Sequence, residues 1–177
     1  IILHKPVQPD EINGNLPWRV IPEIAGAGHF FDLASHQLDY FDYIFGPVKG
    51  VKGIAVNQAG LYNAEDTVSA CFTFENGVTG TGNWCFVTSS DGYKDQMEIE
   101  GAKGKITFSC FEFTPVILET GGKKEIFPFE KPEHLQYFLI NEIVKELTGK
   151  GKSPSTGESG ARTNRVMEEI VKEYYIK

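Results

Sequence analysis

The segment most informative about the fold is Gly26-Ala27-Gly28-His29-Phe30-Phe31-Asp32-Leu33-Ala34-Ser35-His36-Gln37-Leu38-Asp39. Apolar residues recur in it every three to four positions, which is typical of an amphipathic helix packed on a core. The pattern predicts a helix over about His29 to Phe45 that opens from a glycine loop and ends at Gly46-Pro47. The predicted buried stripe is Phe30, Ala34, Leu38 (or Gln37), Phe41, Ile44 and Phe45.

A polar stripe runs along the same predicted helix and consists of Asp32, His36, Asp39 and Tyr43. Residues four apart share one helix face, with Cβ atoms about 5–6 Å apart. A carboxylate one turn before an imidazole can fix the tautomer of the ring and stabilise its charged form, which suits a general base near neutral pH. From spacing alone, the pair Asp32 and His36 is either catalytic or a partly buried ion pair.

Metal binding is the second chemical interpretation of this stripe. The spacing of Asp32, His36 and Asp39 permits ligation, which would indicate a metal-dependent isomerase or hydrolase. No second cluster of His or Cys completes a ligand shell in the sequence, so we predict no metal site.

Composition narrows the class of protein. The chain has 177 residues, of which 41% are hydrophobic and 23% charged, with a net charge of −7. These values fit a single soluble domain spanning residues 1–177. The negative charge argues against nucleic-acid binding, which needs a cluster of Lys and Arg side chains to contact the phosphates. We expect no membrane span, because no apolar run approaches about 20 residues. The three cysteines predict buried free thiols in a reducing compartment, and hence a cytoplasmic protein.

Most of the remaining chain predicts hairpin-linked strands. Ile1–His4 is a possible short strand before a proline-rich segment. Predicted strands joined by glycine turns then cover Val48–Ala59, Thr67–Phe74, Val78–Phe86, Gln96–Glu100, Lys105–Cys110, Val116–Thr120 and Lys124–Phe129. Two helices close the chain, over Glu133–Leu147 and about Glu158–Tyr175, each with an apolar face. We therefore predict an α+β fold with a mostly antiparallel open sheet and helices packed on one face.

Several motifs together resemble one family. These are Trp18-Arg19, Glu23, the glycine loop with Asp32-Leu33-Ala34-Ser35-His36-Gln37-Leu38-Asp39, Phe45-Gly46-Pro47-Val48, Glu65-Asp66-Thr67, Phe74-Glu75-Asn76-Gly77, Ile99-Glu100-Gly101-Ala102-Lys103-Gly104 and Pro154-Ser155-Thr156-Gly157-Glu158-Ser159-Gly160-Ala161. They resemble the C-terminal domain of the glucose–fructose oxidoreductase/inositol dehydrogenase (Gfo/Idh/MocA) family. The likeness covers nearly all of residues 17–177. Where the family pattern has glycine, this chain has Ala27 and Ala34, both still small.

The resemblance implies a glyceraldehyde-3-phosphate dehydrogenase-like C-terminal domain from an oxidoreductase dependent on NAD or NADP. It implies that His36 removes the proton from a sugar or polyol hydroxyl, that Asp32 orients His36, and that Arg19 and Trp18 line the substrate pocket. Gly26 and Gly28 would lie near the nicotinamide end, whereas the N-terminal Rossmann domain that holds the cofactor is absent from this chain. The family's catalytic lysine lies in that absent half, so we do not assign its role to Glu130-Lys131-Pro132.

The resemblance also implies a homodimer or homotetramer formed through the open sheet face, expected to be rich in Thr, Asn and aromatic residues. The isolated chain is expected to be inactive. The alternative from another class is a non-catalytic binding or assembly module built on the same fold.

Overall fold

The computed structural model describes residues 1–176. Its strands are β1 (Ile2–Pro6), β2 (Val48–Val56), β3 (Thr67–Phe74), β4 (Thr79–Thr88), β5 (Lys94–Gly101), β6 (Gly104–Phe108), β7 (Val116–Thr120) and β8 (Lys123–Phe127). Its α-helices are α1 (Pro9–Ile12), α2 (Pro22–Ala25), α3 (His29–Phe45), α4 (Tyr137–Leu147) and α5 (Gly157–Tyr175). None of the helices in these residues is both long and apolar enough to cross a membrane.

The strands form one eight-stranded sheet in the order β2-β3-β4-β1-β5-β6-β7-β8. Neighbouring strands are antiparallel except for β1 and β4, which are parallel. The first strand of the chain thus lies at the centre of the sheet, where it joins the β2–β4 meander to the β5–β8 meander. The predicted α+β fold with a mostly antiparallel open sheet is confirmed.

The two faces of the sheet differ because side chains alternate along each strand. In β3, Val68, Ala70, Phe72 and Phe74 are buried beneath the helices. The opposite, open face carries mostly polar side chains on β3 and β4: Thr67, Ser69, Cys71, Thr73, Thr79, Thr81 and Asn83. The expected aromatic residues are not among them, because the aromatic side chains of β3 and β4 are buried on the helix-covered face.

Helix α3 packs its apolar side on this covered face. The ring of Phe30 meets that of Trp84 edge to face, with centroids 5.0 Å apart. The indole Nε1–H of Trp84 donates to Oε1 of the fully buried Gln37 at 2.7 Å. Helix α5 packs beside α3, and a Cβ atom on Gly53 would lie 2.6 Å from the side chain of Ile170. The glycine in β2 therefore lets α5 lie directly on the sheet.

The predicted bounds of α3 are confirmed, whereas its predicted buried stripe is partly wrong. Ile44 is 40% exposed, and Asp42 is buried instead. Asp42 can be buried because Arg162 of α5 donates to its carboxylate through both Nε and Nη2, at 3.1 and 2.6 Å.

Helix α4 is the larger departure from the sequence prediction. It begins at Tyr137 rather than at Glu133, and none of its residues is buried. Its apolar side chains were expected to pack on the sheet, but they lie at the surface of the described residues.

The cysteines are free, as predicted, but the prediction that all three are buried is wrong. Cys71 is exposed on the open face, while Cys85 and Cys110 are half-buried. Burial, with the charge of Asp95, raises the pKa of the Cys110 thiol to about 12.

Candidate active site

His36 lies midway along α3 on its exposed side. The edge of one ring meets the face of the other in the pair His36 and Phe111, whose centroids are 5.7 Å apart with an interplanar angle of 89°. Within residues 1–176, no side chain makes a hydrogen bond to either nitrogen of the His36 ring. The imidazole is therefore held by an aromatic contact while both nitrogens remain available to a ligand.

The imidazole lines an open cavity of about 620 Å³ between α3 and the start of α5. The cavity is lined mainly by hydroxyl, carboxylate and amide groups, from Ser35, His36, Asp39, Tyr40, Asp42, Tyr43, Pro154, Ser155, Ser159, Gly160, Arg162, Thr163 and Asn164. Its size suits a small polar molecule. Such a lining can make many hydrogen bonds to a polyhydroxyl compound.

Asp32 has a different partner from the one that the sequence suggested. Arg19 Nε donates to its carboxylate at 2.8 Å, and no hydrogen bond joins Asp32 to His36 in the described chain. The Arg19 guanidinium also lies over the ring of Trp18, 4.6 Å from its centroid. Trp18, Arg19 and Asp32 therefore form one connected group, one helical turn before His36.

Two further carboxylates on α3 hold α5 in place. Thr163 Oγ1 donates to Asp39 at 3.3 Å, and Arg162 binds Asp42. The hydrogen bonds to Asp42 raise the pKa of the Arg162 guanidinium. These contacts fix the two helices that form the walls of the cavity.

The start of α3 is fixed by Glu65, a residue whose role the sequence did not reveal. The carboxylate of Glu65 is fully buried and accepts from the Gly28 N–H, with N–O distances of 3.0 and 3.1 Å. The hydroxyl of Tyr175, near the end of α5, donates to the same carboxylate. Burial raises the pKa of Glu65, against the opposing effect of these hydrogen bonds. A buried acid at a helix N-terminus also complements the helix dipole.

A second buried acid holds the same region of the chain. His29, the first residue of α3, pairs through Nε2 with Oε1 of the buried Glu11 at 2.6 Å. The segment before α2 is thereby tied to the start of α3. Glu11 and Glu65 lie 18 and 37 positions from their partners, so no local motif marks either of them.

The glycine loop, Gly26-Ala27-Gly28, packs against Glu65 and does not form a dinucleotide-binding site. Gly28 is buried, its N–H is occupied by Glu65, and a Cβ atom there would lie 2.7 Å from the backbone oxygen of Glu65. Gly26 is exposed, with a positive φ of 85° and open space around it. The described residues therefore do not fit a whole nicotinamide dinucleotide. They also contain no group of three metal-ligating side chains placed to hold an ion.

The fold and the site together define the class of protein. It is an α+β domain with one open sheet face, in which the imidazole of His36 on α3 lines a polar cavity. Residues 3–107 match the family model described as the GFO/IDH/MocA C-terminal domain. The chain belongs to the Gfo/Idh/MocA family.

Individual relatives agree with this assignment. The chain is 33% identical over 151 residues to Oxidoreductase P35 of Formosa agariphila, a match that covers 85% of this chain and 46% of that protein. Its fold is similar to that of an aldose-aldose oxidoreductase from Caulobacter crescentus crystallised with glycerol, with a TM-score of 0.79, 18% identity and coverage of 97% of this chain and 51% of the other. It is also similar to a levoglucosan dehydrogenase in complex with NADH, with a TM-score of 0.80, 17% identity and coverage of 97% and 54%. The chain thus spans about half the length of the relatives that it matches.

Proposed function

We propose that this chain is the substrate-binding half of an NAD(P)-dependent oxidoreductase that acts on a hydroxyl group of a sugar or polyol. The observation that carries the proposal is His36, an exposed imidazole that lines a hydroxyl-rich cavity in a domain of this family. The relatives support the reaction class, since they include an aldose-aldose oxidoreductase and a levoglucosan dehydrogenase.

In this proposal, His36 is the general base. A neutral imidazole accepts the proton of a substrate hydroxyl when the two groups are within hydrogen-bond distance. The imidazolium that forms lies one turn from the carboxylate of Asp32, which favours its positive charge. In the reverse reaction, the same imidazolium returns the proton to the carbonyl oxygen.

Trp18, Arg19 and Asp32 are not among the residues that line the His36 cavity. In this proposal, Arg19 and Trp18 bind a part of the substrate that extends beyond that cavity. Arg19 donates to Asp32 through Nε, which leaves its terminal amino groups to donate to substrate hydroxyls. Trp18 is 52% exposed and supplies an apolar surface against which the C–H face of a sugar ring can pack. Asp32 thus serves both to hold Arg19 and to stabilise the charge on His36.

The cofactor, NAD or NADP, would be held by a Rossmann domain outside this chain, because the described residues do not form a dinucleotide site. Such a cofactor supplies the acceptor for the hydride that leaves the hydroxyl-bearing carbon. The exposed Gly26 remains the part of the glycine loop open to a neighbouring group.

We further propose that the open sheet face joins copies of the protein into a homodimer or homotetramer in the cytoplasm. Cys71 lies on this face and provides a probe of its burial. Its alkylation rate should fall as protein concentration rises, whereas a rate independent of concentration would contradict this interface.

The test of the function uses the complete gene product. His36→Ala should lower kcat/KM for its sugar or polyol substrate by about 10²- to 10⁴-fold, because a positioned acid–base group contributes that much. Binding of NAD(P)H, followed by fluorescence, should not change. The matched control is His134→Ala, an exposed histidine outside the cavity. Near-normal turnover by His36→Ala would refute the role of His36, and the 177-residue chain alone should show no turnover.

A further inference from the structure

The segment between β6 and β7 carries the aromatic side chain that contacts His36. We call residues 109–114 of this segment the His36-facing loop. Phe111 lies near its centre and meets the imidazole edge to face, with ring centroids 5.7 Å apart. Just before the loop, Phe108 meets Tyr40 edge to face, with centroids 5.5 Å apart. Because His36 and Tyr40 are four residues apart on α3, the end of β6 and the loop lie along the helix face that borders the cavity.

Asp95, near the start of β5, holds the backbone of the His36-facing loop. Its carboxylate accepts from three successive backbone N–H groups, at 3.1 Å from Cys110, 2.6 Å from Phe111 and 3.0 Å from Glu112. Hydrogen bonds to a carboxylate are shorter and stronger than those between neutral groups. The carboxylate therefore fixes the main chain on both sides of the Phe111 Cα atom.

The sheet places this carboxylate on the side where α3 packs. Asp95 is paired with Leu3 of β1, and directly opposed residues of antiparallel strands share one face of the sheet. Leu3 is fully buried in the core beneath the helices, so Asp95 lies on the helix-covered face. The ladder between β5 and β6 ends at the pair Met97 and Phe108. Beyond that pair, the N–H groups of the loop bind the Asp95 side chain instead of a strand.

Other contacts keep the His36-facing loop compact. The Ser109 hydroxyl donates to the backbone oxygen of Glu112 and lies 2.7 Å from the Thr114 hydroxyl. The Tyr93 hydroxyl donates to the Glu112 carboxylate at 2.6 Å. These bonds give the loop a defined shape, but none of them involves the backbone of its central aromatic residue.

We propose that Asp95 is a positioning residue for His36, a role that rests on the proposed function. The carboxylate fixes the loop, the loop presents the Phe111 ring, and this ring limits the orientations of the imidazole. Neither Asp95 nor Phe111 is among the residues that line the cavity. Asp95 therefore acts on the geometry of proton transfer and not on substrate binding, so its loss should lower kcat and leave KM unchanged.

The test measures turnover by the complete gene product. Asp95→Ala should lower kcat by about 10- to 100-fold, since a misplacement of about 1 Å at a reacting group costs on the order of 10²-fold. Asp95→Asn keeps one acceptor oxygen and should retain more of kcat, and it replaces the alanine variant if that protein does not fold. The matched control is Asp91→Ala, which should not change kcat. Asp91 is an exposed acid four positions earlier, and its carboxylate accepts no hydrogen bond within residues 1–176.

A double-mutant cycle with Phe111→Leu tests whether Asp95 acts through the Phe111 ring. If it does, Asp95→Ala should lower kcat little further in the Phe111→Leu background, because the contact that the carboxylate supports is already lost. Additive losses in kcat, a change confined to KM, or a wild-type kcat in Asp95→Ala would overturn the proposal.

Isotope labelling of the histidine Cε1 carbon follows the imidazole by NMR without any turnover. The signal that disappears in His36→Ala belongs to His36, and the ring of Phe111 displaces it. Asp95→Ala and Phe111→Leu should move this signal to about the same position, and Asp91→Ala should leave it in place. An unmoved signal in Asp95→Ala would overturn the positioning role. If the signal moved as expected but His36→Ala kept near-normal turnover, the proposed function would be refuted while the structural link from Asp95 to the imidazole stood.

Discussion

The hydrogen bond between Trp84 and Gln37 fixes the helix that carries His36, and a double-mutant cycle measures its strength. Both side chains are fully buried, and the Gln37 Nε2 group has no partner in the described residues. Trp84→Phe removes the donor, leaves the Gln37 amide unpaired and opens space. These effects should together lower the free energy of unfolding by about 4 kcal/mol. Gln37→Leu leaves the indole N–H unpaired but also removes the unpaired Nε2, so its cost should be about 1 kcal/mol.

The double variant should cost about 2 kcal/mol less than the sum of the two single variants, because it leaves neither polar group unpaired. Urea unfolding followed by circular dichroism measures all four proteins. At this chain length, 2 kcal/mol corresponds to roughly 4–8 °C in Tm. If the costs of the two single variants added within about 0.5 kcal/mol, the Gln37 amide would not depend on the Trp84 indole for its hydrogen bond.

Three further predictions concern the residues around the site. Because burial raises the pKa of Glu65, the folded state binds a proton on this carboxyl more tightly than the unfolded state does. The protonated Glu65 side chain therefore adds to the free energy of unfolding below the unfolded-state pKa, and this stabilisation is lost as pH rises through the folded-state pKa. In urea titrations at a series of pH values between these two pKa values, the wild-type protein should lose stability relative to Glu65→Gln as pH rises. A difference in the free energy of unfolding that does not change with pH would contradict this prediction. Gly28→Ala should cost roughly 1–3 kcal/mol, since its Cβ atom would lie 2.7 Å from the Glu65 backbone oxygen, while Gly160→Ala, with open space, should not destabilise; equal Tm values would contradict this. In dilute protein at pH 8, iodoacetamide should label exposed Cys71 before Cys110, whose pKa is raised to about 12, as mass spectrometry of the peptides can show; the reverse order would be inconsistent with the structure.

The sequence predicts elements whose signals are local. The bounds of α3 follow from apolar spacing and from the glycines at its two ends, and Thr67–Phe74 follows from strict alternation. The insertion of β1 between β4 and β5 could not be predicted this way, because it depends on pairing across about 80 residues. The periodicity of α4 likewise indicates that one side is apolar, but not what covers it.

The same limit applies to the site. The spacing of Asp32 and His36 indicates which side chains share a helix face, whereas the partner that binds Asp32 comes from 13 positions earlier. The Glu65 carboxylate accepts from the Gly28 N–H across 37 positions of sequence, and this contact leaves no signature in either segment. Local pattern therefore predicted the position of the imidazole, but not the groups that hold it.

The most direct test of His36 as the general base is a crystal structure of the complete protein with its sugar or polyol substrate and a nicotinamide cofactor. In that structure, a ring nitrogen of His36 should lie about 2.6–3.2 Å from the oxygen of the reacting hydroxyl. A substrate bound elsewhere, or a reacting hydroxyl whose proton is held by another side chain while His36 faces solvent, would contradict it.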